Sequence, residues 1–150
     1  MNYNRSIAMK RFTFAAIFTP DSIDGGFAIA FRDLPEAITQ GDSEQQGLIE
    51  AADCLEEAIA ARIDDRLEIP EPTSLQAGEY SIVLPVQTAL KATLYLSMKE
   101  TATTKVQLAK LIEVDEKEVR RILDPRHGTK LSTIERALAA LGKKIELQIV

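Results

Sequence analysis

The sequence predicts an α+β protein in two parts: an antiparallel sheet carrying one long helix (residues 9–86), then an all-α segment closed by a terminal β-strand (residues 87–150). Three observations lead there. Runs of aromatic and β-forming residues alternate with Gly- and Pro-bearing turns through the first half. One stretch of three- and four-residue apolar spacing interrupts them. Beyond Pro85, helix-start signatures recur at short intervals, and the last eight residues return to strict alternation.

FTFAAIF (Phe12–Phe18) predicts the first strand, and TPDSIDGG, with Pro20 and the pair Gly25–Gly26, supplies a turn. Gly26–Phe31 then returns as the second strand of a hairpin, and DLPEAITQGD gives a short third strand around Ala37–Gln40. Ser43-Glu44-Gln45-Gln46 fits a capping box, which satisfies free amides at a helix start. Ile49, Ala52, Leu55, Ile59 and Ile63 make one apolar stripe on a helix of about 20 residues. Such a helix buries one face of the sheet and leaves the other exposed. In EIPEPTSLQAGEY (Glu68–Tyr80) the prolines exclude regular helix, and Tyr80–Val86 reads as a last strand rejoining the sheet.

The second part predicts a helix over Ala89–Glu100, with Leu90, Leu94 and Met98 at four-residue steps. Thr104–Gln107, Asp115–Glu118 and Ser132–Glu135 each fit a helix-start box, and Gly142 suits a C-terminal left-handed position. In KKIELQIV (Lys143–Val150), Ile145, Leu147 and Ile149 alternate as in a strand. A lone strand must pair. The same strand of a second copy is the simplest partner, so a homodimer or higher homo-oligomer is expected.

Within that part, Lys105–Asp124 has the spacing of a helix-turn-helix. Leu108, Ala109 and Ile112 of the first helix face Val114, Val119 and Ile122, with Ala109 the small residue at the close crossing. In this motif the second helix enters the major groove with its N-terminal residues toward base edges. Glu116, Lys117 and Arg121 are therefore the base-reading candidates, with Glu118 and Arg120 beside them. Lysine and arginine suit guanine O6/N7, and glutamate can accept from cytosine N4. Glu118 has a second possible task as the box acid of its helix. Lys105 and Gln107 open the first helix toward phosphate or an outer base, and Arg126, His127 and Lys130 follow the second helix as backbone contacts. Glu113 occupies the turn position that favours glycine, at a cost of about 1 kcal/mol for a left-handed residue with a Cβ.

The 150-residue chain is 45% hydrophobic and 27% charged, an ordinary globular balance. Its net charge of -5 hides an asymmetry: residues 1–87 hold 15 acids against 6 bases, and residues 88–150 hold 8 against 12. The local charges of -9 and +4 point to two partners of opposite polarity, and the second removes the objection that an acidic chain cannot hold DNA. A single cysteine, Cys54, excludes an intramolecular disulfide framework and a Cys-based zinc finger, and fits the reducing cytoplasm. No run is long and apolar enough for a membrane span, the start lacks the apolar core of a signal peptide, and residues 1–8 read as a loose extension ahead of Met9. No metal or cofactor is expected. Carboxylates that could bind Mg²⁺ lie in turns (Asp21, Asp24, Asp33) or along the helix's polar side (Glu50, Asp53, Glu57), and no nucleophile motif or phosphate-cradling loop occurs, so the chain reads as a non-enzyme.

DGGFAIAFRDLPEAITQGDS, EAADCLEEAIAARI and IPEPTSL, in that order, resemble the HicB antitoxins of bacterial type II toxin–antitoxin pairs. LAKLIEVDEKEVRRILDPRHGTKLSTIERALAALGKK resembles the Xre/Cro-like helix-turn-helix of one HicB branch, so the resemblance spans about residues 10–147. Asp24, Gly25, Gly26, Phe27, Phe31, Asp33, Leu34, Pro35, Gln40 and Gly41 occupy the family pattern, while Glu36 stands where glycine is frequent. The resemblance implies a partial RNase H-like N-terminal domain that occludes a small basic HicA toxin, an mRNA-cleaving protein. It also implies a C-terminal domain that dimerises and represses its own operon by binding operator double-stranded DNA. Charge then makes Asp21, Asp24, Asp33, Glu36 and Asp42, with Phe27, the candidates for the toxin contact. Two rivals remain at this point: a ligand-sensing repressor without a toxin partner, and an interaction module in which Glu113 and Glu116 have abolished DNA binding.

Overall fold

The computed structural model describes residues 11–149, and the expected extension at residues 1–8 lies outside them. The chain divides into two compact units, one of residues up to Arg62 with Leu67–Pro85, the other of Ile63–Arg66 with the chain from Val86 on.

The first unit is a four-stranded antiparallel sheet of order β3-β2-β1-β4, from β1 (Thr13–Pro20), β2 (Phe27–Phe31), β3 (Ile38–Gly41) and β4 (Tyr80–Val83). The register sets Phe14 opposite Ile82, Ala16 opposite Phe31 and Phe18 opposite Ile29. Side chains alternate across a strand, so Phe14, Ala16, Ile29, Phe31 and Ile82 share one face, and all five are buried. The opposite face shows Ile17, Ala28, Ala30, Ile38 and Val83 to solvent.

Helix α1 (Glu44–Asp64) lies against the buried face through Ala51, Leu55, Ala58 and Ile59. Of the expected stripe, Leu55, Ile59 and Ile63 are buried, whereas Ile49 is exposed and Ala52 half-buried, with Ala51 and Ala58 inside. At its start, the Ser43 hydroxyl accepts from the Gln46 amide at 3.1 Å, as a capping box requires. The Gln46 side-chain oxygen, however, takes the Asp42 amide at 2.6 Å, one residue earlier than the box expects.

Close approach between α1 and the sheet depends on bare backbone. A Cβ on Gly41 would lie 2.5 Å from Gly47 Cα, and one on Gly26 would lie 2.3 Å from the Gly41 carbonyl oxygen. A Cβ on Gly47 would in turn meet the Phe18 ring at 2.7 Å. The three glycines thus stack from the start of β2, through the end of β3, into the first turn of α1. The long connection from α1 to β4 is laid down by side chains rather than by regular structure. Arg11 donates to the Ile69 and Pro70 carbonyls, both at 2.9 Å, and Arg32 donates to Thr73 and Ser74 and pairs with Glu79.

The second unit consists of α2 (Val86–Glu100), α3 (Lys105–Ile112), α4 (Glu116–Leu123) and α5 (Leu131–Ala140). Leu94, Tyr95 and Met98 of α2, Leu108, Ala109 and Ile112 of α3, Val119, Ile122 and Leu123 of α4, and Ile134, Ala137 and Leu138 of α5 form its core. Helix α2 starts directly after Pro85, three residues before the expected Ala89, because proline does not forbid a helix that begins behind it.

Two expected features are absent. Ser132–Glu135 is not a box: α5 already begins at Leu131, Lys130 is its N-cap without a side-chain bond, and the Lys130 carbonyl accepts from Thr133 and Ile134. Among the described residues, Lys143–Ile149 forms no strand and joins no sheet. The helix stop is as expected: the Gly142 amide bonds Ala139 and the Lys143 amide bonds Leu138, the paired bonds of a Schellman motif.

Candidate nucleic-acid interface and acidic loops

The α3–turn–α4 pair is fixed at three points before any ligand is considered. Thr104 and Gln107 form a complete capping box, the Gln107 amide donating to Thr104 Oγ1 at 3.1 Å and the Thr104 amide to Gln107 Oε1 at 2.8 Å. Asp115 caps α4 by accepting from the Glu118 amide at 2.8 Å. Between them Glu113 adopts φ 58°, ψ 48°, the left-handed turn expected at that position, and the Val114 amide closes it on the Ala109 carbonyl.

Most of the DNA-contact candidates stand on this frame. Lys117, Arg120 and Arg121 are exposed on α4, and positions 117 and 121 share a helical face. The arginines are engaged only within their own helix: Arg120 with Glu116 at 2.8 Å and Arg121 with Glu118 at 3.3 Å. The Glu118 carboxylate therefore serves Arg121 in an otherwise half-formed box. Gln107 has its side-chain oxygen committed to the cap, which leaves its amide nitrogen to face a partner. Lys105 is half-buried at the start of α3. Past α4, His127 and Lys130 are exposed. Arg126 bonds Asp64, in the segment grouped with this unit, at 2.7 Å.

One residue that the sequence reading passed over underlies this arrangement. Lys91 of α2 is completely buried, and its Nζ lies 3.0 Å from the Arg121 carbonyl, 2.7 Å from that of Asp124, 2.6 Å from that of His127 and 2.7 Å from Thr129 Oγ1. The first two oxygens belong to the C-terminal end of α4, where unpaired carbonyls and the helix dipole attract a cation. Burial lowers the Lys91 ammonium to about 8, against the opposing pull of Asp124 and then Glu118. A signal for it exists in the sequence: Lys91 falls three and seven residues before Leu94 and Met98, inside an apolar stripe.

The acidic candidates of the first unit divide by their engagements. Asp21 accepts from the Ile23 and Asp24 amides at 2.9 and 3.1 Å, and those bonds, that from Asp24 first, hold its carboxyl below the ordinary range. Asp33 accepts from the Thr73 amide at 2.8 Å and from its hydroxyl at 2.9 Å, tying the proline-rich connection to the sheet. Glu36 grips Arg62 at 2.5 and 3.0 Å, and this hydrogen bonding keeps it below its ordinary 4.5. Its backbone is not left-handed, so the local turn does not demand glycine. Asp24 and Asp42 are exposed, and among the described residues neither carboxylate has a bonded partner. Phe27 is half-buried, its ring 5.9 Å from that of Phe18. At the C-terminus Ile145 is half-buried, whereas Leu147 and Ile149 are 76% and 88% exposed.

Among the described residues, no group of three or more His, Cys, Asp or Glu is placed to hold a metal ion, and no helix is long and apolar enough to cross a membrane.

Comparison with known proteins gives one consistent answer. Residues 13–93 match a family described as the HicB-like antitoxin of bacterial toxin–antitoxin systems. Antitoxin HicB 2 of Photorhabdus laumondii is 40% identical over 122 residues, which covers 81% of this chain and 86% of that one. Antitoxin HicB 1 of the same organism is 33% identical, covering 84% and 80%. Antitoxin HicB of Escherichia coli K12 is 32% identical, covering 85% and 92%.

Proposed function

The chain belongs to the HicB-like antitoxin family of bacterial toxin–antitoxin systems, whose members are regulators and not enzymes; from that premise we propose two linked activities. The sheet–helix unit binds and neutralises a small, basic, mRNA-cleaving toxin of the HicA type. The helix-turn-helix binds operator DNA upstream of the protein's own gene and represses it, acting in the cytoplasm as a homodimer or higher homo-oligomer joined through Ile145, Leu147 and Ile149.

The observation that carries the second activity is the capped α3–α4 pair with Lys117, Arg120 and Arg121 exposed on its second helix. The pairs holding both arginines are exposed, and such pairs contribute roughly 0–1 kcal/mol each. A phosphate or a guanine edge can therefore displace Glu116 or Glu118 at small cost. Charge supports the first activity: an RNA-cleaving partner must carry basic surface, and residues 1–87 carry a net -9. Asp24 and Asp42, at the hairpin tip and before α1, are the carboxylates left for such a partner. The exposed apolar face of β1, β2 and β4 adds uncharged area beside them.

The test uses the purified full chain with two ligands. Fluorescence anisotropy against a duplex from just upstream of the gene, beside a scrambled duplex, should show specific and salt-dependent binding. Co-expression with the product of an adjacent small basic reading frame should yield a stable complex and relieve that product's toxicity. Equal weak binding to both duplexes would sink operator reading. A toxin that stays active beside saturating protein would sink neutralisation.

A further inference from the structure

We infer that Lys91 is a positioning residue for DNA binding: from inside α2 it holds the exit of the reading helix and the loop after it, and so sets the height at which Arg121 and His127 meet the duplex. The inference rests on the operator-reading role proposed for α4.

The geometry is specific. An ammonium has three protons to donate, and here four oxygens converge on it within 3.0 Å. Three are main-chain carbonyls, of Arg121, Asp124 and His127, so the bonds constrain backbone rather than flexible side chains. They extend from the last turn of α4 into the residues proposed to touch the sugar–phosphate backbone. The fourth, Thr129 Oγ1, ties the end of that loop to the same point, and Gln87 one turn earlier donates to the Thr129 carbonyl at 2.9 Å. The segment 124–130 has no regular structure of its own; this one buried cation collects its carbonyls. A lysine needed only to fill space at a completely buried position would be replaceable by methionine, which matches its length without the charge. Methionine would take the charged donor away from three carbonyls, leaving them only the local bonds from the Asp124 and His127 amides and the Thr129 hydroxyl. It would also leave Gln87 as the remaining side-chain tie from α2 to Thr129.

The experiment compares wild type, Lys91→Met, Thr129→Val and Thr129→Ser as full chains. Each is titrated with the operator duplex and a scrambled duplex at one salt concentration, and amide exchange is measured over residues 121–130. Lys91→Met is expected to keep its helical circular dichroism and its affinity for the scrambled duplex within about twofold, since phosphate charge is unchanged outside the core. Its operator affinity should fall about 10-fold or more, with faster exchange after Arg121. Thr129→Val, which removes one acceptor at constant shape, should lose about two- to fivefold of operator affinity, and Thr129→Ser should restore it. A folded Lys91→Met protein that discriminates operator from scrambled duplex as wild type does would overturn the assignment. Should Lys91→Met fail to fold, the Thr129 pair decides: equal operator affinity of the valine and serine variants overturns it, and loss with rescue supports it. A wild-type protein that does not discriminate the duplexes refutes operator reading itself, a result distinct from either variant outcome.

Discussion

The acids of the sheet unit and the bases of the helix-turn-helix unit differ in what holds them. Asp33 and Glu36 are bonded across the chain to Thr73 and to Arg62, and Asp21 closes its own turn on the Ile23 and Asp24 amides, so their charge is part of how the loops are built. Arg120 and Arg121 pair only with carboxylates three or four residues away on the same short helix, and Lys117 is open. Removing an acid of the first kind disturbs a fold, whereas a base of the second kind can change partners without moving its backbone. A charge count by region treats the two alike. The structure separates charge engaged in architecture from charge available for recognition.

The strongest way to break this contrast is Lys117→Ala with Arg121→Ala. If these side chains each read a base, operator affinity should fall about 100-fold or more at constant stability, because a specific base contact contributes roughly 1–3 kcal/mol. Anisotropy and thermal melting of the same sample check both halves. Next comes Gly41→Ala, which places a methyl 2.5 Å from Gly47 Cα. It should destabilise the sheet unit by about 1–3 kcal/mol and weaken partner binding, while operator affinity of the folded protein stays as in wild type. A lost operator affinity there would mean that the units do not act separately. Glu113→Gly should act in the opposite direction, stabilising the second unit by about 1 kcal/mol as the left-handed strain disappears. A urea midpoint unchanged from wild type would show that glycine's extra unfolded-state freedom cancels the gain.

The smallest effect sharpens the architectural side. Glu36 titrates below its ordinary 4.5 because Arg62 bonds its carboxylate. A carboxyl lowered on folding contributes stability above its unfolded value and loses it as pH falls through the folded one. Wild type should therefore lose a small increment of stability on acidification below about 4.5. Glu36→Gln should lack that increment at neutral pH and be flatter in the same window, as acid melting curves would show.

Much of this was legible in the sequence, for reasons that differ by element. The hairpin, β3, α1 and the helix-turn-helix are encoded locally, by turn glycines, side-chain alternation and the caps at Ser43, Thr104 and Asp115. The box at Ser132 failed because a matching tetrad is only permissive: the backbone had already entered α5 two residues sooner, with Lys130 as its cap. The stripe is met at Leu55, Ile59 and Ile63 and departs only at Ile49 and Ala52, because alanines such as Ala51, nearly neutral in any apolar count, are what fit beneath a helix lying close on a sheet. Ile145, Leu147 and Ile149 have the alternation of a strand, but a strand needs a partner, which a single chain's pattern does not contain. Lys91 was missed because lysine is read as solvated by default; its position within an apolar stripe was the available warning. Among the DNA-contact candidates, residue type and spacing were readable, whereas the Gln107 oxygen's prior engagement in a cap was not.

The stack of Gly26, Gly41 and Gly47 has a consequence for any saturation-mutagenesis survey of this protein scored by cell survival. All three sites would return almost no tolerated substitutions, a profile that selection data alone would assign to direct contact with the toxin. Here the intolerance would come from backbone at Gly26 and Gly41, and from the Phe18 ring at Gly47, occupying the room where a first carbon would have to go, and it would persist in a readout that omits any partner.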